Sequence, residues 1–243
     1  MKSSLATLLH LVQLMVGNAL GDPEVKAFLE TMRFPLDRLA EGMRRFESAQ
    51  GAVVRREVAQ GRQMTLTQTL RAFFAAIREE AAHLRFTITT VLRARRDLLA
   101  KVGISIALPH KGAAGPPVAN GATQPPAPKE EEKRPGYVWA NVERFLVDAR
   151  AMVQAAMDEA EIVEAVAPFG YTKETLEGFL ARLTELERLG REQESAKGMK
   201  QSATAELSKT GKALRTWYLP WRKRMNGALR GKPEFRVRLG LSA

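Results

Sequence analysis

Sliding the chain along itself by 137 positions, the step from Val91 to Ala228, brings two halves into register without a gap. The clearest overlap is the end of each half. Val91-Leu-Arg-Ala-Arg-Arg-Asp-Leu-Leu-Ala-Lys-Val-Gly-Ile104 lies over Ala228-Leu-Arg-Gly-Lys-Pro-Glu-Phe-Arg-Val-Arg-Leu-Gly-Leu241. The same step pairs Met15 with Met152, Val16 with Val153, Leu39 with Leu176, Leu70 with Leu207 and Ile77 with Leu214. What recurs is mostly apolar spacing, so the pattern implies a repeated fold rather than a repeated active site.

A chain of 243 residues with 45% hydrophobic side chains can bury two modest cores. Alanine, leucine, arginine and glutamate dominate, a mixture that favours helix over strand. The expected fold is all-α: two tandem helical-bundle repeats of about four segments each, at residues 1–104 and 137–243. Between them, residues 105–136 hold seven of the twelve prolines with Gly, Ala and the run Lys129-Glu-Glu-Glu-Lys-Arg134, the composition of a tether.

Helical periodicity marks the segments. Ser3 to Leu20 places Leu8, Leu11, Val12, Met15 and Ala19 on one face. Asp22-Pro23 supplies an N-cap followed by proline at the first helical position. Leu36 to Gln60 and Leu66 to Val102 follow as separate helices, the latter expected to break or bend near Arg93 to Arg96. In the second half the counterparts are Tyr137 to Ala167, with its two segments merged for want of a proline matching Pro23, then Thr172 to Lys197 and Ser202 to Leu239. Gly103-Ile104 and Gly240-Leu241 have the form of left-handed helix ends with an apolar residue folding back.

The apolar run Leu5 to Leu20 loosely matches a secretory signal. His10 and Gln13 interrupt it, however, and the second half repeats it at Phe145 to Met157, so it is expected to be the first bundle helix. No apolar run reaches the ~20 residues a membrane span needs. Cysteine is absent, which excludes disulfides and thiolate metal sites and fits a cytoplasmic location.

The net charge of +11 concentrates in the last helix of each half. From Lys212 onward nine basic residues face Glu234 alone, and from Arg62 to Ile104 eight face Glu79, Glu80 and Asp97. Leu214-Arg-Thr-Trp-Tyr-Leu-Pro-Trp-Arg-Lys-Arg-Met225 interleaves basic and aromatic residues, as phosphate contact with base stacking would require. Tyr218 and Trp221 nevertheless match Ala81 and Leu84 in register, which assigns those rings to a core and leaves the cations as a solvated flank. Pro220 should kink its helix. The candidate contact residues for a polyanion or partner are Arg215, Arg222, Lys223 and Arg224, with Arg93, Arg95 and Arg96 in the first half.

Catalytic constellations are missing. Glu80-Ala-Ala-His83 has the Glu-x-x-His spacing of di-iron bundles, but the aligned residues Trp217 to Pro220 hold no ligand. Histidine otherwise occurs only at His10 and His110, and neither a nucleophile elbow nor a phosphate-cradling glycine loop is present. No cofactor, metal or enzymatic activity is expected.

The pattern Leu-Arg-x-Trp…Trp-Arg-Lys…Ala-Leu-Arg…Pro-Glu…Leu-Gly-Leu, from Leu214 to Leu241, resembles the ending of uncharacterised bacterial proteins built from helical bundles. The resemblance implies a bundle and carries no activity. The expected function is that of a non-enzymatic interaction or scaffold protein with a protein partner. The alternative is a nucleic-acid-associated protein using the basic last helix of each repeat.

Overall fold

A computed structural model describes residues 4–104 and 137–241, with side chains in the second segment from Val142 onward. The proline-rich tether at 105–136 and His110 lie outside the described residues. Within them the chain is all-α and contains no strand. Ser4 caps α1 (Leu5–Val12), which runs through a π-helical turn (Gln13–Gly17) into α2 (Asn18–Gly21). Asp22 then accepts from the backbone N–H groups of Glu24 and Val25 to start α3 (Pro23–Thr31), the cap that Asp-Pro spells.

The sequence expects a helix boundary between Gln60 and Leu66. The chain instead forms one 56-residue helix, α4 (Leu36–Val91). Its counterpart α8 (Lys173–Ala228) is also 56 residues and absorbs the expected gap between Lys197 and Ser202. Gly61 and Gly198 sit at those places, and an isolated glycine costs a helix about 1 kcal/mol without stopping it. Pro220 likewise lies inside α8, where it removes one backbone donor while the helix continues on both sides.

After α4 the chain turns at residues 92–94 and forms the short α5 (Arg96–Lys101). In the second half α6 (Tyr137–Asp158) does not merge with the segment that follows. Glu159 adopts an extended conformation and α7 (Ala160–Val166) begins. Proline is not needed for this corner, because turning there buries Ile162 and Val166. A 3-10 turn (Ala167–Phe169) leads to α8, and α9 (Pro233–Arg238) closes the chain. α5 and α9 end alike: Gly103 (φ 71°) and Gly240 (φ 64°) are left-handed, and the N–H groups of Ile104 and Leu241 reach back to the carbonyls of Leu99 and Arg236.

Packing groups the chain into two compact units that do not follow the halves of the sequence. One contains the chain up to Thr65 together with residues from Glu194 on; the other is Leu66–Gln193. The core of the first joins Leu8, Met15, Val25, Leu39 and Phe46 to Leu214, Tyr218, Met225, Leu229 and Leu241. The core of the second joins Leu70, Ile77, Leu84, Ile88 and Ile104 to Val153, Ile162, Leu176, Leu183 and Leu186. Each core therefore draws on both halves, and within each unit an ionic clasp does the same. In the first, the Arg238 guanidinium donates to Asp22 (3.1 Å) and Glu24 (2.8 Å), while Asn18 Nδ2 donates to the Arg238 carbonyl. In the second, Lys101 donates to Glu159 (2.6 Å) and Arg95 pairs with Glu161 (2.9 Å). Lys101 and Arg238, Glu159 and Asp22, Glu161 and Glu24 are each one 137-residue step apart.

Two measurements probe these ends. Arg33 is left-handed (φ 54°), and its counterpart is Gly170 (φ 89°). Arg33→Gly should raise the unfolding free energy by about 0.5–1 kcal/mol, because a Cβ is disfavoured in this region. Urea denaturation checks it, and an unchanged midpoint would show that the strain is absent. The Asp22 carboxyl is held below its ordinary value of 3.8 by the Val25 N–H bond and then by Arg238. A lowered pKa contributes stability above pH ~4 that is lost as pH falls through the folded value. Asp22→Ala should therefore lower Tm at pH 6, and the difference from the parent protein should shrink toward pH 3 in a melting series.

Candidate functional site

From Lys209 to Lys232 the sequence contains no acidic residue, and most of this stretch is the C-terminal part of α8. Elsewhere in the same unit several arginines are paired: Arg38 and Arg45 to Glu41, Arg55 to Glu206, Arg238 to Asp22 and Glu24. Along α8, Lys212, Arg215, Leu219, Arg222 and Lys223 fall on one side of the helix by their three- and four-residue spacing. Lys212, Lys223 and Arg224 are exposed, while Arg215 and Arg222 are half-buried. Arg215 makes polar contacts within the protein.

The aromatic residues between these cations face inward. Trp217 stacks on Trp221 (centroids 6.0 Å, 22°), and Phe34 meets Trp221 edge-on at 5.8 Å. Arg224 lies over the outer face of Trp221, 5.0 Å from the ring centre. Trp217 rests directly on Gly42, where a Cβ would come 2.1 Å from its ring. Neither tryptophan is a free stacking platform. Tyr218 is buried, and burial pushes its phenol pKa up against the opposing pull of the Arg222 charge. Trp217 Nε1, Tyr218 Oη, Arg222 Nε and Asn226 Oδ1 are buried without a hydrogen-bond partner among the described residues.

The first-half candidates sit in the other unit. Arg93 is exposed in the turn after α4, and Arg96 is exposed at the start of α5. Arg95 precedes α5 and is committed to Asp97 and Glu161, which push its pKa up in that order. The structure thus assigns Arg95 to a clasp and leaves Arg93 and Arg96 as solvated charges. Glu80 is ion-paired with Arg182, and His83 is exposed. Among the described residues no group of three or more potential ligand side chains could hold a metal ion.

Beside the basic face lies an open trough of about 770 Å³. Leu5 and Leu8 of α1, Arg56 of α4, and Thr204, Leu207, Ser208, Gly211, Lys212 and Arg215 of α8 line it. One step away in register the second unit is filled: Phe74 stands for Gly211 and packs edge-on against Phe145 (5.2 Å, 76°), which stands for Leu8. Gln193 stands for Arg56 and is the buried polar residue that donates to Thr67 at 3.4 Å. The trough was not anticipated from the sequence. Its signal was the pair of mismatches, Gly for Phe and Arg for Gln, inside an otherwise matching apolar register.

Among the described residues the large exposed apolar side chains are scattered, with only Val54 and Val58 at a four-residue spacing on one helix. No helix among the described residues is long and apolar enough to cross a membrane. Comparisons with protein-family models, with curated proteins and with solved structures gave no match to this chain.

The Gly42–Trp217 contact is testable. Gly42→Ala should cost about 1–3 kcal/mol, the usual range for overpacking a closed core. Tryptophan emission should shift to the red as the indole is displaced. A fully stable variant with unchanged emission would show that Trp217 is not seated there.

Proposed function

We propose that this protein is a non-enzymatic interaction protein that holds an acidic partner on the C-terminal part of α8. The carrying observation is the acid-free basic face: from Lys209 to Lys232 basic residues follow one another with no acidic residue among them. Side chains on a long helix, held by a core on the opposite side, give a preformed surface whose ordering cost precedes binding. Charge of one sign steers an oppositely charged partner toward it.

The same reading covers the chain's origin: two tandem repeats, residues 1–104 and 137–243, descend from one duplicated sequence joined by the linker at 105–136. The support is the shared step of 137 residues in apolar register, in the bounds of α4 and α8 and of α5 and α9, and in the two clasps. A homodimer with interchanged segments would have this arrangement of contacts. Fusing its two copies lets one surface change while the other is kept.

A nucleic acid is the second reading, favoured by the same concentration of basic residues. The seated tryptophans count against it, since contact would rest on phosphates alone without base stacking. Combined replacement of Arg222, Lys223 and Arg224 by Gln separates the two. The full chain, purified from its own cells at moderate salt, should retain a defined protein through nuclease treatment, and the triple variant should lose it. Retention of nuclease-sensitive material, with a salt slope reduced by about 2–3 in the variant, would transfer the function to nucleic acid. Retention unchanged in the triple variant would remove the basic face from the function.

A further inference from the structure

The trough beside this face has a charge layout of its own. α8 supplies its wall from Thr204 to Arg215, about 17 Å of helix at ~1.5 Å per residue. Two contacts fix the register of the other helices along it. Arg55 Nη2 binds Glu206 at 2.7 Å, so the adjacent Arg56 sits level with the Thr204–Ser208 end. Leu5 Cδ1 lies 3.2 Å from where a Gly211 Cβ would stand, so α1 covers the middle. Lys212 follows directly on that contact, and Arg215 occupies the far end. The order along the trough is cation, apolar floor, cations. Arg56 and Lys212 make no ion pair among the described residues, and the Thr204 and Ser208 side chains lie on the exposed rim.

We propose that the trough binds an acidic amphipathic segment of the partner protein, with leucine-like side chains over Leu5, Leu8 and Leu207 and Asp or Glu on both flanks. This rests on the partner-binding reading and specifies what the partner presents. A single-headed amphiphile would satisfy one end and strand the cation at the other. A helical segment satisfies both, because acidic residues two turns apart on its contact face span the apolar floor. The open shape also suits a peptide laid along the groove better than an enclosed small molecule.

The test uses the full chain and a displayed library of random peptides about twelve residues long, enough for ~18 Å of helix. Selection is made against the parent protein and counter-selected with Ser208→Trp, which places an indole in the trough. The expected consensus has apolar residues at three- or four-residue spacing between acidic flanks. Arg56→Gln, which installs the residue found at the matching position 193, and Lys212→Gln should each weaken the selected peptide about tenfold. Circular dichroism confirms that each variant is folded. A neutral or basic consensus, enrichment equal on Ser208→Trp, or affinity indifferent to both charge removals would overturn the proposal. So would dodecanoate binding that Ser208→Trp abolishes while no peptide is enriched. If the peptide selection fails while the Arg222, Lys223 and Arg224 variant still loses its protein partner, the interaction function stands and the trough is not its contact.

Discussion

Everything else in this fold depends on exchanged burial. The apolar stripe of α1 to α3 and the early part of α4 is covered by the late part of α8 with α9, and the stripe of α6 and α7 with early α8 by late α4 with α5. Neither half of the sequence closes a core with its own segments. This is why α4 and α8 run on for 56 residues where a bundle folding within one half would turn back. Amphipathic helices of this length draw their stability from tertiary burial more than from propensity, and the burial here is supplied from far along the sequence. The clasps follow the same logic: a cation near the end of α5 or α9 meets a carboxylate at the start of α7 or α3, always across the linker in sequence.

Given matching backbones, the two cores differ by exchanging volume. Gly42 receives Trp217 in one unit. At the matching places in the other unit Phe179 is buried and Glu80 is turned outward to Arg182. Phe74 and Phe145 meet in one unit where Gly211 and Leu8 stand in the other. At the first pair the bulk changes sides of the contact, whereas at the second it is large on both sides in one unit and smaller on both in the other. At Gly211 the replacement is incomplete, and the unfilled volume opens to solvent as the trough. A packing difference has thus become a surface feature of this unit.

The apolar register, the Asp-Pro cap, the Gly103 and Gly240 ends and the inward Tyr218 and Trp221 were legible in the sequence because each is a local pattern with a local cause. The exchange was not, since a periodic stripe states which face is buried without stating what covers it. The boundary at Gln60 to Leu66 was misplaced for a related reason. Polar residues and a glycine there resemble a loop, yet a helix that passes between two cores needs no buried stripe at that point. Glu159 shows the converse: a corner formed without proline or a capping side chain, held by the burial of Ile162 and Val166. At the candidate site, the basic residues of α8 were readable from charge alone. The commitment of Arg95 to Glu161 was not, because its partner lies beyond the linker.

Comparison of matching positions also separates structural charges from the rest. Arg78 and Arg85 stand one step from Arg215 and Arg222, so a basic residue at these places belongs to both halves. Lys223 and Arg224 instead match the exposed Phe86 and the half-buried Thr87, and Lys212 matches Ala75. The charges kept at Lys101 and Arg238 share a structural role in the two clasps. A charge found in one half alone, on an exposed surface, answers to nothing in the shared backbone. Lys212, Lys223 and Arg224 are such charges, and together with Arg56 they border the one core where packing volume was given up. The difference in charge and the difference in shape fall in the same unit, as the proposed partner surface requires.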